Sequence, residues 1–451
     1  MDQLKRFFKE AATYTFFDFL RRVLGFFLIP FYTRYLTPTE YGIYFLILLV
    51  TGFLAILYNL GLMVSLYRYQ PREKNSFLCT ITFLIPYNLI LTIVLLIAAG
   101  RISQFFLHSE KFAILFQIGF LFLFFEGFLN QALALYKVER MPYYFGLLST
   151  LRFATGLFFN ILLVVVLRKG VYGILLGNLL ASVVIASSIF FLVGRYLKGK
   201  FDADLLMREF SYSLPLLPAL WAFFLIDYID RFMVERFLGL SAVGIYSLAY
   251  QIGSVINLAV LGFRAAYPPF FFSLKTEELG NLGRIFQYFV LLVGFLYIVL
   301  IMALPEVFPI FIGSRFHPAS SLVWMIALSF LFYGIYINFA SHLYLQNRTG
   351  VVSLLALGSL AANIIGNLIL IPPLGSYGAA VATIISYLLL ALLAYLVTRP
   401  DYDLSLLLKV LTYIAIATLL GLFQVGLIFR LLTVLVYPIL FWWLKRGEDE
   451  K

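Results

Sequence analysis

The sequence predicts an all-α integral membrane protein of about fourteen transmembrane helices, arranged as two six-helix bundles with two extra helices at the C-terminal end. Three observations predict it. Apolar types make up 63% of the 451 residues and charged types only 12%, far from the near-even apolar share and one-quarter charge of soluble domains. Apolar runs of roughly 18 to 25 residues recur along the whole chain, each long enough to cross a hydrocarbon core of about 30 Å as a helix. A weak internal repeat then divides these runs into two halves. Backbone satisfaction in lipid favours helices throughout. A β-barrel would need short stretches of alternating polarity, whereas Ile90 to Ala99 and Leu354 to Ala362 are apolar or small on every side.

Charged residues, Pro and Gly punctuate the chain into spans at 12–36, 41–66, 76–99, 112–136, 143–166, 170–194, 210–238, 241–268, 286–312, 319–345, 350–371, 376–398, 405–422 and 427–444. An even number of spans puts both termini on one side. That side carries twenty Lys and Arg in its loops and span ends, Arg72, Lys74, Lys137, Arg140, Lys198 and Lys200 among them, against seven on the other. The excess predicts cytoplasmic termini. It also accounts for the net charge of +11 without invoking nucleic acid. Lys5, Arg6 and Lys9 precede an apolar stretch as in a signal peptide, but Asp18, Arg21 and Arg22 interrupt it and no small-residue cleavage site follows. The stretch reads as a retained first span.

The repeat is carried by corresponding segments. Arg34-Tyr-Leu-Thr-Pro-Thr-Glu-Tyr-Gly-Ile-Tyr44 aligns with Arg236-Phe-Leu-Gly-Leu-Ser-Ala-Val-Gly-Ile-Tyr246, and Leu60-Gly61 with Leu261-Gly262. Val171-Tyr-Gly leads into the sixth span as Ser376-Tyr-Gly leads into the twelfth. The expected organisation is an N-terminal bundle at 1–205, a C-terminal bundle at 206–400, and two extra helices with a short tail at 401–451. Each half has an even number of spans, so both enter the membrane the same way, as in carriers whose halves rock about a central cavity.

Charges inside spans are costly, about 2.5 to 3.5 kcal/mol for a central Arg on insertion scales, and so mark a hydrated cavity or a partner. Asp18 shares a helical face with Arg21 and Arg22 and can neutralise only one of them, leaving net positive charge. Arg152 and Arg264 have no acidic residue three or four positions away. All four arginines are candidates for lining an anion-binding cavity; the alternative is capping of backbone carbonyls or snorkelling to an interface. Asp227, Asp230, Arg231 and Glu235 follow at helical spacing in span 7, where they read either as an ion-pair ladder or as a proton or sodium site. Glu126 is a lone acid in span 4, a candidate for coupling or for protonation in place. Pro30, Pro215 and Pro218 are candidate hinges.

One cysteine, Cys79, excludes an internal disulfide, and His108, His317 and His342 lie too far apart to suggest a metal site. No cofactor is expected, beyond coupling to H+ or Na+. No loop exceeds roughly twenty residues on these boundaries, which leaves a glycosyltransferase, polymerase or ligase nowhere to hold its chemistry. The chain reads as a carrier and not as an enzyme.

With the segment Thr33 to Tyr44, Asp230-Arg231 followed by Val243 to Tyr250, and Asn363-Ile-Ile-Gly-Asn-Leu-Ile-Leu-Ile-Pro-Pro-Leu-Gly-Ser-Tyr-Gly-Ala-Ala380, the chain resembles the Wzx-type polysaccharide-biosynthesis flippases of the multidrug, oligosaccharidyl-lipid and polysaccharide exporter superfamily. The likeness covers nearly the full length. It implies a V-shaped pair of bundles in the bacterial cytoplasmic membrane that carries a polyprenyl-diphosphate-linked glycan outward by alternating access, among membrane lipids and alongside polysaccharide polymerase and chain-length proteins. It implies diphosphate binding by Arg21, Arg22 and Arg264, with Arg152 added on the charge argument alone, and cation coupling by the acidic group of span 7. A cation-coupled multidrug antiporter of the same fold and a lipid II flippase are the alternatives. The paired arginines of span 1 favour an anionic substrate, since guanidinium matches phosphate with paired donors.

Overall fold

The computed structural model describes residues 16, 17, 20, 25–263, 282–345, 348–400, 402, 404–423 and 425–449, and every regular element among them is helical. Eleven of the described helices are long and apolar enough to cross a membrane, or twelve with the pair Leu240–Gly253 and Val255–Phe263, bent by 43°, taken as one broken span. The all-helical membrane architecture read from the sequence is thus present. The count of fourteen is not reached among the described residues, because part of the expected first span lies outside them and the last apolar helix, Leu427–Phe441, is shorter.

The chain forms two compact units, Met1–Phe232 and Met233–Lys451, divided within the expected seventh span. The first holds α1 (Leu28–Tyr35), α2 (Pro38–Asn59), α3 (Leu62–Tyr69), α4 (Ser76–Leu107), α5 (Ala113–Val138), α6 (Pro142–Asn160), α7 (Gly170–Val193), α8 (Ala203–Ser213) and most of α9 (Leu217–Leu238). The second holds α10 (Leu240–Gly253), α11 (Val255–Phe263), α12 (Leu282–Phe311), α13 (Ser320–Leu345), α14 (Thr349–Leu374), α15 (Ser376–Thr398), α16 (Ser405–Leu422) and α17 (Leu427–Asp449).

The internal repeat has a structural counterpart. In the first unit α4 packs on α5, α5 on α7, α6 on α7 and α2 on α5. In the second, α12 packs on α13, α13 on α15, α14 on α15 and α10 on α13, the same four pairings six spans on. The repeated motifs are helix starts. Thr37 caps α2 with a reciprocal capping box: its side chain accepts from the Glu40 N–H, the Glu40 carboxylate accepts from the Thr37 N–H at 2.8 Å, and Pro38 opens the first turn. At the corresponding place Gly239, with φ +82°, precedes α10. The Tyr-Gly motifs follow a second pair of turns, Gly170 at φ +57° before α7 and Gly375 at φ +59° before α15, a backbone region that costs glycine little. One turn later a Cβ on Gly173 would sit 3.0 Å from the Leu163 carbonyl, and one on Gly378 would strike the Leu370 backbone. Each glycine lets a helix start close against the end of the helix before it.

Helices in lipid gain little from hiding apolar surface from one another, so close packing and hydrogen bonds hold the bundle. Asn363 donates to Ser386 Oγ at 3.5 Å and accepts from Asn367 at 3.0 Å, while Ser359 donates to the Ser386 carbonyl at 3.1 Å, stitching α14 to α15. The long Asn363 to Ala380 motif therefore encodes this stitch and the turn at Gly375. The extra helices dock on α12, with Tyr297 bonded to Thr418 at 2.9 Å and Tyr437 donating to the Leu291 carbonyl at 3.1 Å. Arg430 of α17 donates to both carboxylate oxygens of Glu306, one of them at 2.8 Å.

Candidate functional site

A polar cavity of about 310 Å³ lies inside the first unit among α1, α5, α6 and α7. Its polar wall comes mainly from α6, where Ser149, Arg152, Gly156 and Asn160 face it. Their spacing of three, four and four residues places them on one face of the helix. α7 adds Asn178 and Ser182 four residues apart, α5 adds Phe122 and α1 adds Leu28. Apolar side chains fill the remainder, so the polar groups form a stripe in an otherwise lipid-like bundle.

Arg152 is the cavity's cation. Its Nη2 donates to Glu126 Oε1 of α5 at 2.5 Å, and the two side chains retain 24% and 12% of their exposure. The one acid of α5 and the one charged residue of α6 are partners across a helix interface. The pair stays open on one side, since Glu126 Oε2 is buried and accepts no hydrogen bond among the described residues. Five guanidinium donors in a fixed fork leave Arg152 able to hold Glu126 and a second oxyanion at once.

A hydrogen-bonded chain crosses the far end of the cavity. Tyr32 of α1 donates to Asn160 Oδ1 at 3.1 Å, and the Asn160 amide donates to Asn178 Oδ1 at 2.9 Å and to the Gly156 carbonyl at 2.8 Å. Asn160 is also where α6 changes pitch, for Ile161–Val166 continue as a π-helical turn. Such turns gather at functional sites because they redirect side chains and loosen backbone pairing. The sequence reading missed Tyr32, Asn160 and Asn178. Their signal is the stripe at helical spacing on α6, which the search for charges passed over because three of its four members are neutral.

The other expected site residues fall in different places. Asp18, Arg21, Arg22 and Arg264 lie outside the described residues. Asp227 and Asp230 sit on α9, where Arg231 Nη1 donates to the Asp227 carbonyl and the guanidinium lies 4.6 Å from the Tyr228 ring and 5.6 Å from that of Phe45. Asp230 and Arg231 are buried. Among the described residues no group of three His, Cys, Asp or Glu is placed to hold a metal ion. A second buried acid that the sequence reading did not single out, Glu209 of α8, accepts from Ser76 and, at 2.9 Å, from Thr80 of α4.

The architecture has close structural relatives. The lipid II flippase MurJ in an inward closed conformation is 16% identical, with 97% of this chain and 99% of that one aligned and a TM-score of 0.71. A multidrug resistance MATE family transporter of the MOP superfamily in its inward-facing conformation is 15% identical, aligned over 84% and 94% with a TM-score of 0.64. A MOP superfamily transporter from Pyrococcus furiosus Vc1 (DSM3638) is 15% identical over 88% and 95%, with a TM-score of 0.58. The chain thus has the fold that these flippases and transporters share. A comparison with curated proteins gives no match. The model of the polysaccharide biosynthesis protein family matches residues 7–275, more than half of the sequence, and the chain belongs to that family.

Proposed function

We propose that this protein is a flippase that carries a polyprenyl-diphosphate-linked oligosaccharide from the cytoplasmic to the outer leaflet of a bacterial cytoplasmic membrane by alternating access. The observation that carries the reading is Arg152, a cation held inside the membrane-spanning bundle at a polar cavity, in a chain of this family. Arg152 engages a diphosphate oxygen with donors that Glu126 does not use. Arg21, Arg22 and Arg264 add positive charge to the path of the head group. Tyr32, Asn160, Asn178, Ser149 and Ser182 offer neutral donors and acceptors of the kind that sugar hydroxyls exchange with water.

Glu126 gives the pair a means of release. The Glu126 carboxylate competes with the anion for the Arg152 guanidinium, and recovery of the ion pair displaces the head. Asp18, Asp227 and Asp230 are the further candidates for H+ or Na+ coupling. Moving negative charge outward across an inside-negative membrane is downhill by about 2.3 kcal/mol per charge per 100 mV, so the potential assists export of the head. Both termini face the cytoplasm on the Lys and Arg count. Polysaccharide polymerase and chain-length proteins are the partners that would receive the product.

The second reading is lipid II flipping, which the near-complete alignment with the lipid II flippase MurJ favours. One assay separates the two. Vesicles containing the purified protein are loaded with fluorescent polyprenyl-diphosphate oligosaccharide or with fluorescent lipid II, and leaflet exchange is followed for wild type and Arg152→Ala. Exchange of the oligosaccharide carrier that Arg152→Ala loses supports the proposal. Exchange of lipid II alone transfers the lead to the second reading, and extrusion of cationic dyes in place of either overturns both.

A further inference from the structure

The loop that leaves α7 holds three cations in a defined place. Gly194–Leu197 close the helix in a tight turn, and the chain then runs across the start of α4. A Cβ on Gly199 would sit 2.6 Å from Asn75 Oδ1 and 3.1 Å from the Leu78 side chain, and the Asp202 N–H donates to Cys79 Sγ at 3.3 Å. Arg195, Lys198 and Lys200 are exposed on this stretch, and none of the three meets a carboxylate among the described residues. Arg195 is positioned by a neutral group: its guanidinium donates to the Tyr196 hydroxyl at 3.0 Å and lies 4.8 Å from that ring. Asp202, the nearest acid along the chain, turns its carboxylate to the Leu205 N–H at the start of α8. The loop therefore presents positive charge that the fold holds in place and does not neutralise.

Beneath the loop, a groove of about 370 Å³ opens on the outer surface of the first unit between α4, α5 and α7. Ile81 and Ile85 line it from α4, Phe128 from α5, and Phe190 and Phe191 from α7. Phe191 is 82% exposed, so the groove meets hydrocarbon along its length in the bilayer. The cations stand over its end. Leu78, against which Gly199 lies, is one turn before Ile81 on α4, and Phe191 is four positions before Arg195. On α4 the lining ends at Asn88, twelve residues after Ser76, or about 18 Å along a helix. Half of a hydrocarbon core is about 15 Å. The groove is thus as deep as one leaflet, on the side that the Lys and Arg count marks as cytoplasmic.

We propose that the Arg195–Lys200 loop and the groove beneath it bind one anionic phospholipid of the cytoplasmic leaflet, with its phosphate on Arg195, Lys198 and Lys200 and one acyl chain along Ile81, Phe128 and Phe190. Charge complementarity selects the head, since basic groups beside a bilayer are drawn to anionic lipid. Depth selects the chain, which ends where its own leaflet ends. The packed pair of α5 and α7 separates this site from the Arg152 cavity, so it does not depend on what that cavity carries. It makes the protein responsive to the composition of the membrane around it.

The test gives full-length protein, stripped of lipid in detergent, equal amounts of phosphatidylglycerol and phosphatidylcholine with identical acyl chains, and counts bound lipid by native mass spectrometry. One phosphatidylglycerol should be retained, at least fivefold in preference to phosphatidylcholine. Lys198→Gln/Lys200→Gln should bring the ratio below twofold with an unchanged melting temperature, because both side chains are exposed. Phosphatidylglycerol with a photoreactive group midway along one chain should label the peptides containing Phe128 and Phe190, and excess inorganic phosphate should leave that labelling intact. Ser187→Trp, which places a ring in the groove, should reduce it at least fivefold. Equal retention of the two lipids, an unchanged ratio in the lysine variant, or labelling outside the groove would overturn the proposal. So would displacement by polyprenyl diphosphate at a tenth of the phosphatidylglycerol concentration, which would assign the site to the carrier lipid.

Discussion

Glu126 and Arg152 meet at 2.5 Å across the interface of α5 and α6, an ion pair between two helices inside the bundle. Removing either leaves a charge in low dielectric, which costs more than the pair itself contributes. Arg152→Leu is expected to lower stability by about 2 kcal/mol and to abolish binding of the diphosphate head. Glu126→Gln keeps the arginine hydrogen-bonded; it should bind the head at least as tightly as wild type but release it slowly. Thermal unfolding in detergent and single-turnover exchange check both.

Two glycines give opposite predictions. A methyl group on Gly378 would strike the Leu370 backbone, whereas one on Gly358 meets nothing within 4 Å. Gly378→Ala should destabilise by about 1 to 3 kcal/mol through overpacking against backbone that cannot yield. Gly358→Ala should be neutral or stabilise by up to about 1 kcal/mol through helix propensity. Comparing the two melting temperatures in one detergent isolates the steric effect from the propensity effect.

The capping box at α2 predicts a local loss. Thr37→Ala removes an acceptor for the Glu40 N–H and a donor to its carboxylate, and should cost about 1 kcal/mol. Thr37→Ser should recover most of it. Amide exchange in the first turn of α2, faster in the alanine variant and near normal in the serine variant, reads the effect where it arises.

Arg430→Leu should loosen the last helix from the second unit. The arginine is buried and spans both oxygens of Glu306, which is itself 41% exposed and can rehydrate. A loss of about 1 to 2 kcal/mol is expected, at the scale of polar contacts between membrane helices. Protease accessibility of the chain after Leu422 should rise in this variant while the fold of the remaining helices persists.

Membrane class, span positions and the repeat were legible because hydrophobic length is a direct physical requirement of the bilayer and because helix starts need specific residues. The Thr37 to Glu40 motif and the Tyr-Gly motifs turned out to be such starts. The site was legible only in part. Arg152 and Glu126 attracted attention as costly charges, but their partnership runs between helices 26 residues apart in sequence and no helical spacing reveals it. Tyr32, Asn160 and Asn178 were passed over because a neutral amide in an apolar span costs little enough to look ordinary until its partners are known. Glu306 and Arg430 are separated by 124 residues, and only the packing of α17 on α12 joins them.

The π-helical turn at Ile161–Val166 has a consequence for how this cavity is inherited. A turn of this kind holds one residue more than α-helical winding would use, and each residue advances a helix by about 100°. Deleting one residue within Ile161–Val166 would therefore leave Arg152 and Asn160 where they are and swing the end of the helix, from which the Arg168–Lys169 loop departs, about a quarter of the way round the axis. The turn acts as a phase adjuster: it lets the polar stripe and the basic loop after the helix be aimed independently, so that substitution along the stripe leaves the exit of the chain at the membrane face undisturbed.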